Sequence, residues 1–285
     1  MNLQLDTTVS FHKVLQCSSD PILDLYKEAR KDVDSVHAST FTKKEFAFSL
    51  ISDCCSLQAH LFSKCSFIES WKWIEQYGSF RKRFAGRMRN KLLSFILKEY
   101  GRKVECFDNA TKDKILALRL LEYLRVVIPE LWERFDECLD LPLDNRTKCP
   151  FATIGPIEHA GVFRLKKKNT CDGSEGCVLI NLLRGKDGKH RGMDLLQELK
   201  KISDDDPVKS KELKIIESFL ESFYEKGQHQ TCYEMCNRGI GDLVIALETF
   251  PYRTLLTTNA KEFVVICKSI KQNLKVLSSH TETGG

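Results

Sequence analysis

Hydrophobic and polar residues in the first 65 positions alternate with spacings that predict a strand, a helix, a strand and a helix, in that order. Leu3 and Leu5 predict a very short strand, and Asp20-Pro21 begins a stretch with apolar residues at helical spacing. Residues 36–39 predict a second short strand. The helix that follows carries one apolar stripe, formed by Phe46, Leu50, Cys54, Leu57 and Leu61.

The middle of the chain has a different pattern. Residues 66–147 carry apolar residues at helical spacing almost throughout, with Pro129 predicted to end or kink the longest helix. Residues 148–192 are rich in Gly, Cys and Lys, and the short runs at 161–165 and 178–180 are β-like, so we expect an irregular segment there. Helical spacing returns between residues 194 and 225.

The last 50 residues return to alternating helices and strands, predicted at 243–250, 254–258, 260–270 and 276–277. One α/β domain with a long insertion explains this order. We therefore predict a small, mainly parallel sheet with flanking helices, interrupted by a large helical insertion. Residues 1–65 and 229–285 would be the two halves of the sheet domain, and residues 66–228 would be the insertion.

Composition places the chain among ordinary globular proteins. It has 285 residues, of which 42% are hydrophobic and 29% charged, enough to bury a substantial core. There is no uninterrupted apolar run of about 18 residues, and the first residues lack the features of a signal peptide. We therefore expect a cytoplasmic protein that does not enter a membrane. Its twelve cysteines would then be thiols or metal ligands.

Acidic or amide residues lie where predicted strands end or helices begin, at Asp6, Glu45, Asp242 and Asn259. Open α/β sheets bind ligands at the carboxyl ends of their strands, so we expect these side chains to meet there. Clustered carboxylates repel one another, and a hard divalent cation such as Mg²⁺ or Mn²⁺ relieves that repulsion. Helix capping is the alternative, because Thr42-x-x-Glu45 and Asn259-x-x-Glu262 have the form of capping boxes and Asp242 could be an N-cap.

Four short motifs surround these positions in chain order. They are Leu5-Asp6-Thr7-Thr8-Val9, residues 39–46, Gly241-Asp242-Leu243-Val244-Ile245-Ala246 and residues 257–263. Together they resemble the four motifs of PIN-domain nucleases, the fold shared by bacterial toxin ribonucleases and RNA-processing endonucleases. The resemblance covers about residues 1–65 and 230–275. Thr8 stands where the family has Asn, and Asn259 is neutral where the family has Asp or Asn.

The resemblance implies a metal-dependent nuclease, with a ribonuclease favoured over a deoxyribonuclease by family analogy. Asp6 and Asp242 would be direct metal ligands, and Glu45 would be a ligand or a base that positions water. Asn259 would be an outer ligand, and Glu262 would supply the charge that Asn259 lacks. A divalent ion in such a site lowers the pKa of a water molecule and neutralises charge on the phosphodiester.

A basic stretch at residues 81–103 is the first candidate for nucleic-acid binding, with Arg81, Lys82, Arg83, Arg87, Arg89 and Lys91 at its start. Such a stretch attracts phosphates, and the interleaved Phe84 and Tyr100 could stack on bases. A solvated helix face is the alternative. Residues 164–168 are a second, smaller basic cluster.

The irregular segment holds a candidate set of zinc ligands, Cys149, Cys171, Cys177 and His159. Three thiolates and an imidazole can form a tetrahedral structural Zn²⁺ site. Their spacing matches no compact zinc motif, and free thiols in a loop are the alternative.

The sequence therefore predicts a metal-dependent endoribonuclease, either a toxin or an RNA-processing enzyme. RNA is the expected partner, with DNA as an alternative, and a toxin would also have an inhibitory protein partner. Homodimerisation is common in the family. Two other hypotheses remain open: a PIN-like module that binds RNA without cutting it, and a protein-interaction scaffold built on the helical insertion.

Overall fold

The computed structural model describes residues 2–15, 20–80, 108–144, 155–165, 178–227, 240–250 and 252–278. The strands are β1 (Asn2–Leu5), β2 (Ser35–His37), β3 (Pro156–His159), β4 (Val162–Leu165), β5 (Arg253–Thr257) and β6 (Asn273–Val276). The helices before β3 are α1 (Thr7–Leu15), α2 (Pro21–Arg30), α3 (Thr40–Phe46), a π-helix (Ala47–Ile51), α4 (Ser52–Lys64), α5 (Phe67–Phe80) and α6 (Asn109–Glu137). After β4 follow α7 (Val178–Arg184), α8 (Lys186–Lys201), α9 (Lys211–Tyr224), α10 (Gly241–Glu248) and α11 (Ala260–Ser269).

The main sheet has four strands in the order β2-β1-β5-β6, and every neighbouring pair is parallel. The two central strands come from opposite ends of the chain, with Leu3 opposite Thr254 and Leu5 opposite Leu256. The predicted small parallel sheet with flanking helices is thus confirmed. Because all four strands run the same way, their carboxyl ends lie at one edge of the sheet.

Alternation along the strands divides the core between the two faces of the sheet. Leu3, Leu5 and Leu256 face one side and pack with Ile22 and Tyr26 of α2. Residues on the other face, such as Leu255, pack with α10, α11 and the helices α7–α9, in a cluster that includes Leu199, Phe219, Leu243 and Phe263. Helices therefore cover both faces, which is what a parallel sheet requires.

The outer edge of β2 is covered by the chain that follows α6. The backbone N–H of Asp140 donates to Val36 at 3.0 Å, and that of Asp144 donates to Ala38 at 3.0 Å. The carboxylate of Asp140 also accepts a hydrogen bond from the Val36 N–H at 2.6 Å. These bonds pair backbone groups that an open edge strand would leave exposed.

The contacts divide the chain into two units. The first contains residues 1–46, 134–153 and 167–285, and the second contains residues 47–133 and 154–166. The helices α7–α9, which the sequence pattern placed in the insertion, thus share a unit with the sheet. In the second unit the antiparallel hairpin β3–β4 packs on α4, where Gln58 accepts a hydrogen bond from the Phe163 N–H at 2.7 Å.

One local prediction was wrong. Residues 178–180, predicted as β-like, form the start of α7, because Leu179, Ile180 and Leu183 are all buried at helical spacing. Of the two predictions for Pro129, the helix end is wrong, since α6 is continuous from Asn109 to Glu137, and the kink stays a prediction. Ile128 and Leu131, on either side of the proline, are buried, and this packing offsets the lost backbone hydrogen bond.

None of the described helices combines the length and the apolarity needed to cross a membrane.

Candidate functional site

Asp6 lies at the carboxyl end of the central strand β1, immediately before α1. Its backbone N–H donates to Leu256 of the neighbouring strand β5 at 3.0 Å, so its position is fixed by the sheet itself. The side chain is only 2% exposed. A carboxylate buried to this extent requires hydrogen-bond donors.

Three threonines supply those donors. The hydroxyl groups of Thr8 and Thr257 both donate to Oδ2 of Asp6, at 2.6 and 2.7 Å, and the backbone N–H of Thr7 donates to Oδ1 at 2.5 Å. The hydroxyl of Thr8 also accepts the backbone N–H of Thr258 at 3.2 Å. The end of β1 and the end of β5 are therefore joined through the Asp6 carboxylate.

Glu45 approaches the same place from α3. Its Oε2 accepts a hydrogen bond from the Thr7 hydroxyl at 2.8 Å, and Thr7 is the residue that follows Asp6 in the sequence. The helix is held by Lys43, whose Nζ lies 2.5 Å from the Asp136 carboxylate. Phe46 packs on Phe135 with ring centroids 5.0 Å apart, so Glu45 lies on a well-supported helix.

Gly241 is the residue against which Glu45 packs. A Cβ atom at this glycine would lie 1.8 Å from Oε1 of Glu45 and 3.0 Å from its Cδ. No side chain can occupy that space while Glu45 keeps its position. The first residue of α10 is therefore in direct contact with the carboxylate of Glu45, and Asp242 is the next residue along.

Asp242 lies in the first turn of α10, next to Asn259 at the end of β5. The side-chain Nδ2 of Asn259 donates to Oδ2 of Asp242 at 3.1 Å. Its backbone N–H donates to the Thr257 hydroxyl at 2.9 Å, and that same hydroxyl donates to Asp6. The four predicted site residues thus lie at one edge of the sheet, linked through the threonines, Asn259 and the contact with Gly241.

The helix-capping interpretations are wrong at these positions. Ser39 caps α3, because its Oγ accepts the N–H of Thr42 at 3.0 Å, and Glu45 lies near the end of that helix. Ile240 is the N-cap residue of α10, so Asp242 is inside the helix. Asn259 is at the N-cap position of α11 but makes no capping bond with its side chain.

Further carboxylates surround this group. Glu262, in the first turn of α11, is 7% exposed, and Glu248, at the end of α10, is fully buried. The sequence pattern predicted Glu262 as a site residue. It gave no signal for Glu248, because a glutamate at the end of an apolar helix has the pattern of an exposed residue.

The pKa values of the three principal carboxyl groups are all raised. Burial raises the pKa of Asp6, and the hydrogen bonds from Thr8 and Thr257 oppose that rise. Burial is also the main reason why the pKa of Glu45 rises to about 7, with the Thr7 hydrogen bond opposing it and the Asp6 charge adding to it.

The pKa of Asp242 is raised well above its ordinary value. Burial is the largest cause, followed by the negative charges of Asp6, Glu45 and Glu262. Negative charges from three other segments therefore act on Asp242. Such perturbation is typical of functional sites, and a divalent cation is the usual way to relieve it.

Within the part of the chain that the structure describes, no three His, Cys, Asp or Glu side chains lie close enough together to form a ready set of metal ligands. The donors that hold Asp6 are instead hydroxyl and amide groups of the chain itself. The described hydrogen bonds therefore fix the orientation of the Asp6 carboxylate, but they do not arrange three carboxylates as a set of metal ligands.

The other candidate residues fall largely outside the described chain. This applies to the basic stretch at Arg81, Lys82, Arg83, Arg87, Arg89 and Lys91, and to Cys149, Cys171 and Cys177. His159 is described and lies exposed on β3. The zinc hypothesis and the first nucleic-acid-binding hypothesis thus stay predictions.

Thr7 and Thr257 are the side chains of this group that the sequence pattern did not single out. Thr7 follows Asp6 directly, and Thr257 lies two residues before Asn259, so their closeness to the acidic residues was the available signal. No protein-family model, curated protein or solved structure matches this chain. The site must therefore be interpreted from its own chemistry.

Proposed function

We propose that this protein is a metal-dependent endoribonuclease. It hydrolyses RNA phosphodiester bonds at the edge of the sheet where Asp6, Glu45 and Asp242 lie. The observation that carries the proposal is the position of these carboxylates, which come from three separate segments and are linked at one edge of the sheet through Thr7, Thr257, Asn259 and the contact with Gly241. The order and content of the surrounding motifs, similar to those of PIN-domain nucleases, support the same function.

The donor set suits a hard divalent cation. Carboxylate oxygens are the ligands that Mg²⁺ and Mn²⁺ prefer, and burial, which raises the pKa values of Asp6 and Asp242, disfavours their charged forms until a cation binds. Asp6 and Asp242 would hold the ion, with Glu45 as a third ligand and Glu262 contributing charge. When bound, such an ion lowers the pKa of water and neutralises phosphate charge.

The chain's own residues orient and balance this site. Thr8 and Thr257 fix the rotamer of Asp6, and Thr7 directs Glu45 towards it. Glu45 has the alternative role of a base that positions water, and without a bound cation burial raises its pKa to about 7. Asn259 keeps Asp242 in place without adding a fifth negative charge.

The test is cleavage of a mixed pool of single-stranded and structured RNA by the purified protein, with Mn²⁺, Mg²⁺ or EDTA. Asp6→Asn and Asp242→Asn remove one charge each, whereas Asp24→Asn removes a charge from an exposed residue of α2 and is the matched control. We expect cleavage with Mn²⁺ or Mg²⁺, none with EDTA, and at least a hundredfold loss in either site variant. Metal-independent cleavage, or full activity in both site variants, would overturn the proposal.

A second function has one observation in its favour. Asn259 is neutral and donates to Asp242, so this position adds no negative charge for holding a cation. A PIN-like module that binds RNA without cutting it is therefore the alternative. RNA retained in a binding assay, with no cleavage under any metal condition, would establish that alternative.

A further inference from the structure

Five exposed lysines lie at the start of α8, along α11 and just after it. None of them forms an ion pair with a residue that the structure describes. We call them the basic surface, and they are Lys186, Lys189, Lys261, Lys268 and Lys271. Lys27, Lys31 and Lys72 are also exposed, but each pairs with an acid three residues earlier in the sequence.

One end of the basic surface lies beside the carboxylate site. Lys261 is two residues after Asn259, at the start of α11. Lys268 is seven residues further on, about 20° short of two full helical turns, so the two lysines share a face about 10.5 Å apart along the axis. Lys271 follows the last turn of the helix, where its own φ of 55° turns the chain.

The other two lysines lie at the start of α8. This helix packs against α11, and Nη2 of Arg191 donates to Oε1 of Gln272 at 3.3 Å, next to Lys271 in the sequence. Lys186 and Lys189 are exposed in the first turns of α8. The main part of the basic surface therefore lies along α11, beside the carboxylate site, and α8 adds two lysines on the neighbouring helix.

Electrostatics explains why such a surface is needed. The carboxylates of Asp6, Glu45, Asp242 and Glu262 repel phosphate until a cation binds, so attraction for a polyanion must come from another part of the molecule. Lysines act on phosphates as point charges, and they follow a backbone without reading its sequence. A lysine without an acidic partner attracts phosphate more strongly than a paired lysine, because no neighbouring carboxylate offsets its positive charge.

We propose that the basic surface binds the phosphate backbone of a single-stranded nucleic acid and directs it to the carboxylate site. The second part of this statement rests on the proposed nuclease function, but the binding itself does not. The surface is distinct from the basic stretch at residues 81–103.

The experiment measures binding of a fluorescein-labelled 20-nucleotide RNA by fluorescence anisotropy, in EDTA, over a range of salt concentrations. EDTA keeps the measurement independent of cleavage. The test variant combines Lys261→Gln, Lys268→Gln and Lys271→Gln. The control combines Lys27→Gln, Lys31→Gln and Lys72→Gln, which removes the same charge from lysines that already have acidic partners. Single-stranded DNA of the same sequence and phosphatidylserine vesicles are compared with the RNA.

We expect the test variant to bind RNA roughly tenfold or more weakly at low salt. The slope of log K against log salt should become shallower by about 2, because each lost phosphate contact on a single strand contributes about 0.7. The control should keep the wild-type slope. Equal binding of DNA and RNA, or a preference for RNA, would both support the proposal, since the contacts are to phosphates.

Three results would overturn it: no binding of RNA or DNA by the wild type, the same loss in the control as in the test variant, or binding to the vesicles alone. Loss of RNA binding in the test variant, together with an absence of cleavage by the wild type with Mn²⁺, would retain the basic surface and reject the nuclease. The two proposals therefore fail separately.

Discussion

The contact between Gly241 and Glu45 gives the most direct test of the site's geometry. A Gly241→Ala substitution adds a Cβ atom where Oε1 of Glu45 now lies, at 1.8 Å, so the glutamate side chain must move. When it moves, the buried hydroxyl of Thr7 loses its acceptor at 2.8 Å. An unsatisfied buried donor costs about 1–3 kcal/mol.

Part of this loss is offset. Gly241 is not in the left-handed region, so alanine fits the backbone and lowers the entropy of the unfolded chain, which is worth about 0.4–1 kcal/mol. The expected net destabilisation is about 1–2 kcal/mol. Urea unfolding at pH 6 in EDTA is the assay, because Glu45, with a pKa of about 7, is then mainly neutral and charge relief contributes little.

The control is the same substitution in a Glu45→Ala background. There Thr7 has already lost its acceptor and the space beside Gly241 is empty, so Gly241→Ala should be neutral or stabilising by about 0.4–1 kcal/mol. Equal destabilisation in both backgrounds would refute the reasoning, because it would place the cost of the new methyl group somewhere other than the Glu45 carboxylate.

Two further predictions concern the same group. Since the folded-state pKa of Glu45 is raised to about 7 from 4.5, the folded protein holds a proton that the unfolded chain releases, and stability falls as pH rises through this range. The stability of Glu45→Gln relative to the wild type should therefore rise between pH 5 and pH 8, by up to about 3 kcal/mol, as measured by urea unfolding with EDTA. A stability difference that does not change with pH would contradict this. Thr257→Val removes a donor to Asp6 and the acceptor of the Asn259 N–H, and should destabilise by about 1–3 kcal/mol, whereas Thr254→Val in the same strand should change stability by less than about 0.5 kcal/mol. Similar losses in both valine variants would show that the hydroxyl contacts of Thr257 are unimportant.

The sequence alone determined most of the elements at the two ends of the chain and the edge at which the strands end. Short apolar runs at each end of the chain gave the strands, and helical stripes such as Phe46–Leu50–Leu61 gave the helices between them. Hydrophobic periodicity is a local property, so it can be recognised without knowledge of distant contacts. Because neighbouring strands separated by helices pair in parallel, the position of Asp6 at a strand end also followed.

Only the tertiary structure decided what each acidic residue does. Glu45 and Asp242 both have sequence neighbours that fit a helix cap, and the choice between a cap and a cluster depends on where Thr7 and Gly241 lie in space. The same holds for Thr257, whose hydroxyl reaches a carboxylate 251 positions away. Local patterns carry no information on such contacts, because the geometry of a site is set by which strands become neighbours, and here the two central strands come from the two ends of the chain.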